Sequence, residues 1–222
     1  MTLSQTDIER GLIYMGSRGR DVADLMPLVT RCAGELGEAA DPLYIYKYFD
    51  IEFTHEGVAL MGTGLTLSGE SIKAHLTGCR GCIVLCATLS AGADKLIRTM
   101  SAYDMAASFV TDCLARSAIE SVCDEAEQEM RERLPDRFLT WRFSPGYGDL
   151  PLTLQPGLVS LLDAQKRIGL TVTDSLMLVP SKSVTAIIGV SDKELPKKVR
   201  GCTSCNMYDS CKFRKGGDHC GA

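Results

Sequence analysis

An α+β fold, with a largely antiparallel β-sheet and packed helices, is predicted by three observations. Short runs of alternating apolar and polar residues flank turn residues at Gly62-Thr-Gly64 and at Pro180-Ser-Lys-Ser183, and both read as β-hairpins. Two stretches, residues 22–36 and 93–131, repeat apolar residues at helical spacing. Hairpins followed by helices argue for this class rather than for a parallel, doubly wound sheet.

Asp21 is placed to cap a helix whose Val22, Leu25, Met26, Val29, Cys32 and Leu36 share one face. Strands are expected over residues 43–53 and 58–67, then a short helix over 70–76 and a buried strand over 82–89. In that strand Cys82, Val84 and Cys86 share a side, and free buried cysteine behaves as a small hydrophobe, so Cys79, Cys82 and Cys86 are assigned to the core. Residues 93–131 are expected to be helical with a break near Ser101. Met105, Ala106, Phe109, Val110, Cys113, Leu114 and Ala118 are expected to form its core stripe. Pro156 and Gly157 should precede a helix that runs to Arg167 and ends at Gly169, and residues 172–179 and 184–190 should make the last hairpin. Pro196 and the basic run after it mark the boundary between a domain at 1–191 and a tail at 192–222.

Composition excludes several classes. With 222 residues, 45% of them hydrophobic, the chain can bury a core of its own. The amino terminus has no basic start followed by an apolar run, and no apolar stretch is long enough to cross a bilayer, so a soluble cytoplasmic protein without membrane contact is expected. A net charge of -4 gives no reason to expect nucleic acid as a partner. Gly62-Thr-Gly64 imitates a dinucleotide loop, but the third glycine position is Leu67, and a Rossmann-type site is rejected. The order of spacings in Cys79-x2-Cys82-x3-Cys86 also argues against a radical-enzyme cluster. His55, His75 and His219 are scattered.

The most informative stretch is Arg142-Phe-Ser-Pro-Gly-Tyr147-Gly-Asp-Leu-Pro151. It sets a guanidinium five residues ahead of a tyrosine across a Pro-Gly turn. Arg142 can grip a carboxylate with two parallel hydrogen bonds. Gly146 and Gly148, lacking a Cβ, let the backbone approach a ligand with its N–H groups exposed. Spacing alone also fits a strand that ends in an ordinary turn.

This pattern, Arg-x-x-x-Gly-Tyr-x-x-x-Pro, resembles the signature of the activation domain of vitamin B12-dependent methionine synthase. Ser175, Pro180, Ser183 and Val184 resemble the Ser-x4-Pro-x2-Ser-Val block of the same family. The clear resemblance spans about residues 140–191, with a weaker one through residues 102–131. It implies an α+β fold and an S-adenosylmethionine site built from Arg142, Gly146, Tyr147, Gly148 and Asp149. Arg142 would hold the methionine carboxylate, and an aromatic face such as that of Tyr147 suits a sulfonium cation. The family uses an acidic residue on a preceding helix; the direct alignment puts Arg116 there, and Glu120, one turn later, is the nearest substitute.

The resemblance further implies reductive methylation of cob(II)alamin, with the domain contributing positioning and no catalytic acid or base of its own. No corrinoid-binding Asp-x-His-x-x-Gly segment is present, so the cobalamin is expected on a partner chain, a corrinoid-binding methionine synthase subunit, and this chain as a free-standing activation subunit. Two other readings stay open: an activator of another corrinoid methyltransferase, and a non-enzymatic metal-binding interaction module.

The tail carries Cys202-x2-Cys205-x5-Cys211-x8-Cys220 in a segment too polar to build a core. Four thiolates fit zinc or an iron–sulfur cluster, and the uneven spacing tilts toward iron–sulfur; His219 could replace a cysteine, and disulfides or free thiols are the alternatives. Residues 192–222 hold Lys193, Lys197, Lys198, Arg200, Lys212, Arg214 and Lys215 against Asp192, Glu194, Asp209 and Asp218. A basic tail on an acidic body suits docking to an acidic protein such as a flavodoxin, a ferredoxin or a corrinoid subunit, or is simply a solvated surface.

Overall fold

A computed structural model describes residues 1–17 and 21–196 of the chain. Its helices are α1 (Gln5–Tyr14), α2 (Met26–Ala39), α3 (Glu70–Leu76), α4 (Ser90–Ser101), α5 (Met105–Arg133), α6 (Gln155–Leu161) and α7 (Ala164–Ile168). Its strands are β1 (Leu43–Phe53), β2 (Gly57–Leu60), β3 (Leu65–Ser68), β4 (Gly81–Thr88), β5 (Phe138–Leu139), β6 (Thr171–Val172), β7 (Leu178–Val179) and β8 (Ser183–Ser191). Six strands form one sheet in the order β3-β2-β1-β4-β8-β5, and β6 and β7 form a second. The expected α+β class with a largely antiparallel sheet is what the chain adopts, and β1–β2, β2–β3 and β5–β8 all pair antiparallel.

The described chain divides into two compact units. The first comprises Met1–Lys47, Leu85–Pro135 and Gln155–Thr185, and α5 is its axis. Asp104 caps α5 by accepting the Ala107 N–H at 2.9 Å. Helices α1, α2 and α4 pack on α5 through a stripe that includes Ala107, Val110, Thr111, Leu114 and Ala118, all buried. Met105, Ala106 and Phe109 do not join that stripe as expected; Met105 is 71% exposed and Phe109 56%. Val110, Cys113, Leu114 and Ala118 are buried as expected, but at 100° per residue Met105 and Phe109 fall on the side of α5 opposite Ala107, Leu114 and Ala118, so the expected stripe was too wide at its start. The break in the helical stretch falls where it was expected, between α4 and α5.

Helix α1 had no counterpart among the expected elements. Its signal is Ser4-Gln-Thr-Asp7, a capping box in which the Ser4 hydroxyl accepts the Asp7 N–H and the Asp7 carboxylate accepts the Ser4 N–H. Asp21 caps a short 3-10 turn rather than the helix, which begins at Met26 with Pro27 in its first turn. The expected helix to Arg167 is two helices, α6 and α7, separated at Asp163, whose φ is 51°. Gly169 ends α7 in the left-handed region, as expected.

The hairpin expected between residues 172–179 and 184–190 does not form. Residues 171–179 fold back on themselves as β6 and β7, in register Thr171↔Val179 and Val172↔Leu178. Strand β8 instead lies between β4 and β5 and is buried from Thr185 to Ser191. A strand covered on both sides belongs inside the large sheet, not at the end of an exposed ribbon.

The second unit comprises Tyr48–Val84, Asp136–Leu154 and the chain from Ala186 onward. The β2–β3 hairpin forms around Gly62-Thr-Gly64 as expected, in register Val58↔Leu67 and Leu60↔Leu65. Strand β4 is buried throughout, and Cys79, Cys82 and Cys86 are core residues as expected. Burial pushes the Cys82 and Cys86 thiols up to about 12, which leaves them inert at neutral pH.

Candidate functional site: a helix-clamped arginine–tyrosine loop

Beyond β5 the chain keeps hold of the edge of β8. Thr140 donates its N–H to the Gly189 carbonyl at 2.9 Å, and Phe143 exchanges both backbone bonds with Ile187, at 2.9 and 2.8 Å. Trp141 and Phe143, two residues apart on this extended edge, bring their rings to 5.2 Å. The loop then closes on itself. Tyr147 N–H donates to Ser144 O at 3.0 Å, Leu150 N–H to Tyr147 O at 3.0 Å, and Gly146 N–H to Leu150 O at 2.8 Å. The Gly146 N–H is therefore committed to the turn, a correction to the expectation that it would be offered to a ligand.

Tyr147 is 52% exposed and completes an aromatic wall, with its ring 6.4 Å from Trp141 and 5.9 Å from Phe143. His75 backs the wall from α3, 4.7 Å from Trp141 edge-on and 4.9 Å from Phe143. Arg142, between the two wall residues in sequence, is half-buried.

Helix α3 clamps the loop from its other end too. The Asp149 carboxylate accepts the Glu70 N–H at 2.7 Å and the Ser71 N–H at 2.9 Å, so a residue 78 positions away caps α3. These two amides, Ser71 first, hold the Asp149 carboxyl below the usual carboxylate range. Gly148 takes φ 55°, and a Cβ there would lie 2.3 Å from Ser71 Oγ. The glycine is required twice, by conformation and by the close approach of α3.

Five of the residues expected at the site, Arg142, Gly146, Tyr147, Gly148 and Asp149, thus fall in one turn of the second unit. Glu120 is half-buried on α5 in the first unit. Sequence reasoning missed Ser71, His75, Trp141 and Phe143. The Trp-x-Phe alternation leading into the loop was the available signal for the two rings; nothing local marked α3.

The second sequence block forms a braced turn in the first unit. Ser181 donates its N–H and hydroxyl to Asp94 on α4 at 2.6 and 2.8 Å, and Lys182 reaches Asp112 on α5 at 2.6 Å. Ser183 Oγ lies 2.8 Å from Thr88 Oγ1 and 2.7 Å from the Pro180 carbonyl. Arg116 pairs with Asp112 at 2.9 Å. Cys202, Cys205, Cys211 and Cys220, proposed as metal ligands, lie outside the described residues. Among the described residues no group of three or more His, Cys, Asp or Glu converges as a metal would require.

Fold and loop define an antiparallel α+β domain built around a helix-clamped arginine–tyrosine turn. The family model for the vitamin B12 dependent methionine synthase activation domain matches residues 86–199, just over half of the chain, and the chain belongs to this family. No curated protein sequence matches it. Among solved structures it is similar to the crystal structure of the MetH reactivation domain bound to AdoHcy, with 14% identity, a TM-score of 0.64, and 96% of this chain and 82% of that one covered. At that identity the likeness establishes the shared fold.

Proposed function

We propose that this activation domain binds S-adenosylmethionine at the Arg142–Pro151 turn and presents its methyl group to a cobalamin carried by a corrinoid-binding methionine synthase partner. The observation that carries the reading is the turn itself, which joins a half-buried Arg142 to an aromatic wall whose Tyr147 ring is half exposed. The guanidinium supplies a two-pronged donor for the methionine carboxylate. The Tyr147 face supplies the electron-rich surface that a sulfonium favours. The AdoHcy held by the fold neighbour supports a ligand of this class. A cobalamin on the partner would supply the methyl acceptor, with S-adenosylhomocysteine as the leaving group and one electron drawn from a separate donor protein. The protein's part is to bind, orient and exclude water, where proximity is the main effect available.

The free-standing subunit role, the electron donor of flavodoxin or ferredoxin type, and a zinc or iron–sulfur site in the tail belong to the same proposal. Calorimetric titration of the full chain with S-adenosylmethionine, wild type beside Arg142→Ala, tests its centre. Saturable binding that the substitution weakens at least about tenfold is expected, since a charge-assisted pair is lost. Equal affinity in the two proteins would remove Arg142 and this turn from the site. Glu120→Gln in the same titration tests whether the acidic residue implied by the family contributes.

A further inference from the structure

We infer that His75 is a positioning residue for the loop, setting the aromatic wall through a hydrogen-bonded link to Thr140. The inference rests on the ligand reading above for its effect on affinity, and on geometry alone for its effect on the wall. His75 is 3% exposed, in a cluster otherwise made of Trp141, Phe143 and Tyr147 rings. A buried polar ring needs a partner, and His75 Nε2 has one in Thr140 Oγ1 at 2.9 Å. The same hydroxyl accepts the Gly189 N–H at 2.7 Å. One oxygen therefore joins the imidazole of α3 to the backbone of β8, one residue before Trp141.

An aliphatic side chain at position 75 would fill space but leave rotation about the helix-to-wall contact unconstrained. The imidazole, fixed by its bond to Thr140, presents its edge to Trp141 and a tilted face to Phe143, and both rings meet Tyr147. Helix α3 thus holds the loop at two points, with its first amides on Asp149 and His75 behind the wall. His75 does not need to touch a ligand to govern the ring that does.

Trp141 is the single tryptophan of the chain, so its fluorescence reports on the wall alone. The experiment compares wild type, His75→Leu, Thr140→Val and the double variant. Emission and quencher access of Trp141 are read without ligand, then S-adenosylmethionine affinity by calorimetry. His75→Leu is expected to alter Trp141 emission and weaken binding about tenfold, the loss of roughly one aromatic contact energy. Thr140→Val, nearly the same shape, is expected to shift emission in the same direction. The double variant is expected to lose less than the two single losses combined, because part of the Thr140→Val effect acts through the imidazole and only the rest through the lost bond to the Gly189 N–H. Unchanged Trp141 emission in both single variants overturns the inference, as does wild-type affinity in His75→Leu or independent addition of the two losses. Should His75→Leu fail to fold, Thr140→Val carries the same test. A wild type that binds no S-adenosylmethionine would overturn the ligand reading instead, and the role of His75 in the wall would then stand or fall on emission alone.

Discussion

Asp149 and Ser71 bind one another reciprocally across 78 residues of sequence: Asp149 Oδ1 accepts the Ser71 N–H at 2.9 Å, and Ser71 Oγ accepts the Asp149 N–H at 3.4 Å. This is the logic of a capping box distributed between a helix and a distant loop. It makes the start of α3 and the arginine–tyrosine turn one structural object, so damage to either should be felt in both.

Asp149→Asn leaves one acceptor oxygen for the Glu70 and Ser71 amides and is expected to destabilise the protein by about 1 kcal/mol, the scale of one lost hydrogen bond. Because the folded carboxyl titrates below its unfolded value, its stabilisation is full above about pH 4 and is lost as pH falls through the folded value. The gap between wild type and Asp149→Asn in urea unfolding should therefore close on acidification. A gap that stays constant through that range would show that the carboxylate charge is not what caps α3.

Gly148→Ala should be more damaging than an ordinary loop substitution, by about 1–3 kcal/mol, since it forces an L side chain into φ 55° and drives a Cβ to 2.3 Å from Ser71 Oγ. Part of that loss is the clash alone. Ser71→Gly removes the obstructing atoms, and the double variant should lose less than the two single variants combined. Denaturant unfolding of the four proteins measures the coupling, and strict additivity would mean that backbone strain accounts for the whole effect.

What could be read from the chain alone follows from how far each signal reaches. The Gly62-Thr-Gly64 hairpin, the break near Ser101 and the cap at Gly169 are set by neighbours in sequence, and all three are present in the fold. Met105 and Phe109 mislead because apolar spacing does not say how wide the covered stripe is. The 172–179 strand misleads because the polar Thr173-Asp174-Ser175 within it is a turn, where the chain folds back and pairs β6 with β7. At the site, Arg142 and Tyr147 announce themselves by motif. His75 and Ser71 reach the loop only through tertiary contact, and nothing around them in sequence signals it.

Two helical glycines should respond in opposite directions to alanine. A Cβ at Gly92, in the first turn of α4, would lie 1.9 Å from the Ala39 carbonyl oxygen at the end of α2, and backbone cannot yield as a side chain can. Gly92→Ala is expected to cost about 2 kcal/mol or more. Gly34, within α2, has nothing within 4 Å of its Cβ position, so Gly34→Ala should add about 0.5–1 kcal/mol through helix propensity. Thermal unfolding of both variants checks the contrast.

Tyr44 and Tyr46 on β1 share the Glu129 carboxylate of α5, with hydroxyl-to-carboxylate distances of 2.5 and 3.0 Å. The bond to Glu129, followed by burial, pushes the Tyr44 hydroxyl up to about 12, while the same hydroxyl leads in drawing the Glu129 carboxyl down. A phenol whose folded value is raised gives stability that is complete below its unfolded value near pH 10 and is lost as pH rises through the folded one. Wild type should therefore lose stability between about pH 10 and 12 more steeply than Tyr44→Phe, which has no hydroxyl to ionise. Ultraviolet absorbance gives a second measure, because Glu129→Gln removes the charge opposing phenolate formation. Tyr44 and Tyr46 should then titrate at lower pH than in wild type, and an unchanged titration curve would show that Glu129 controls neither phenol.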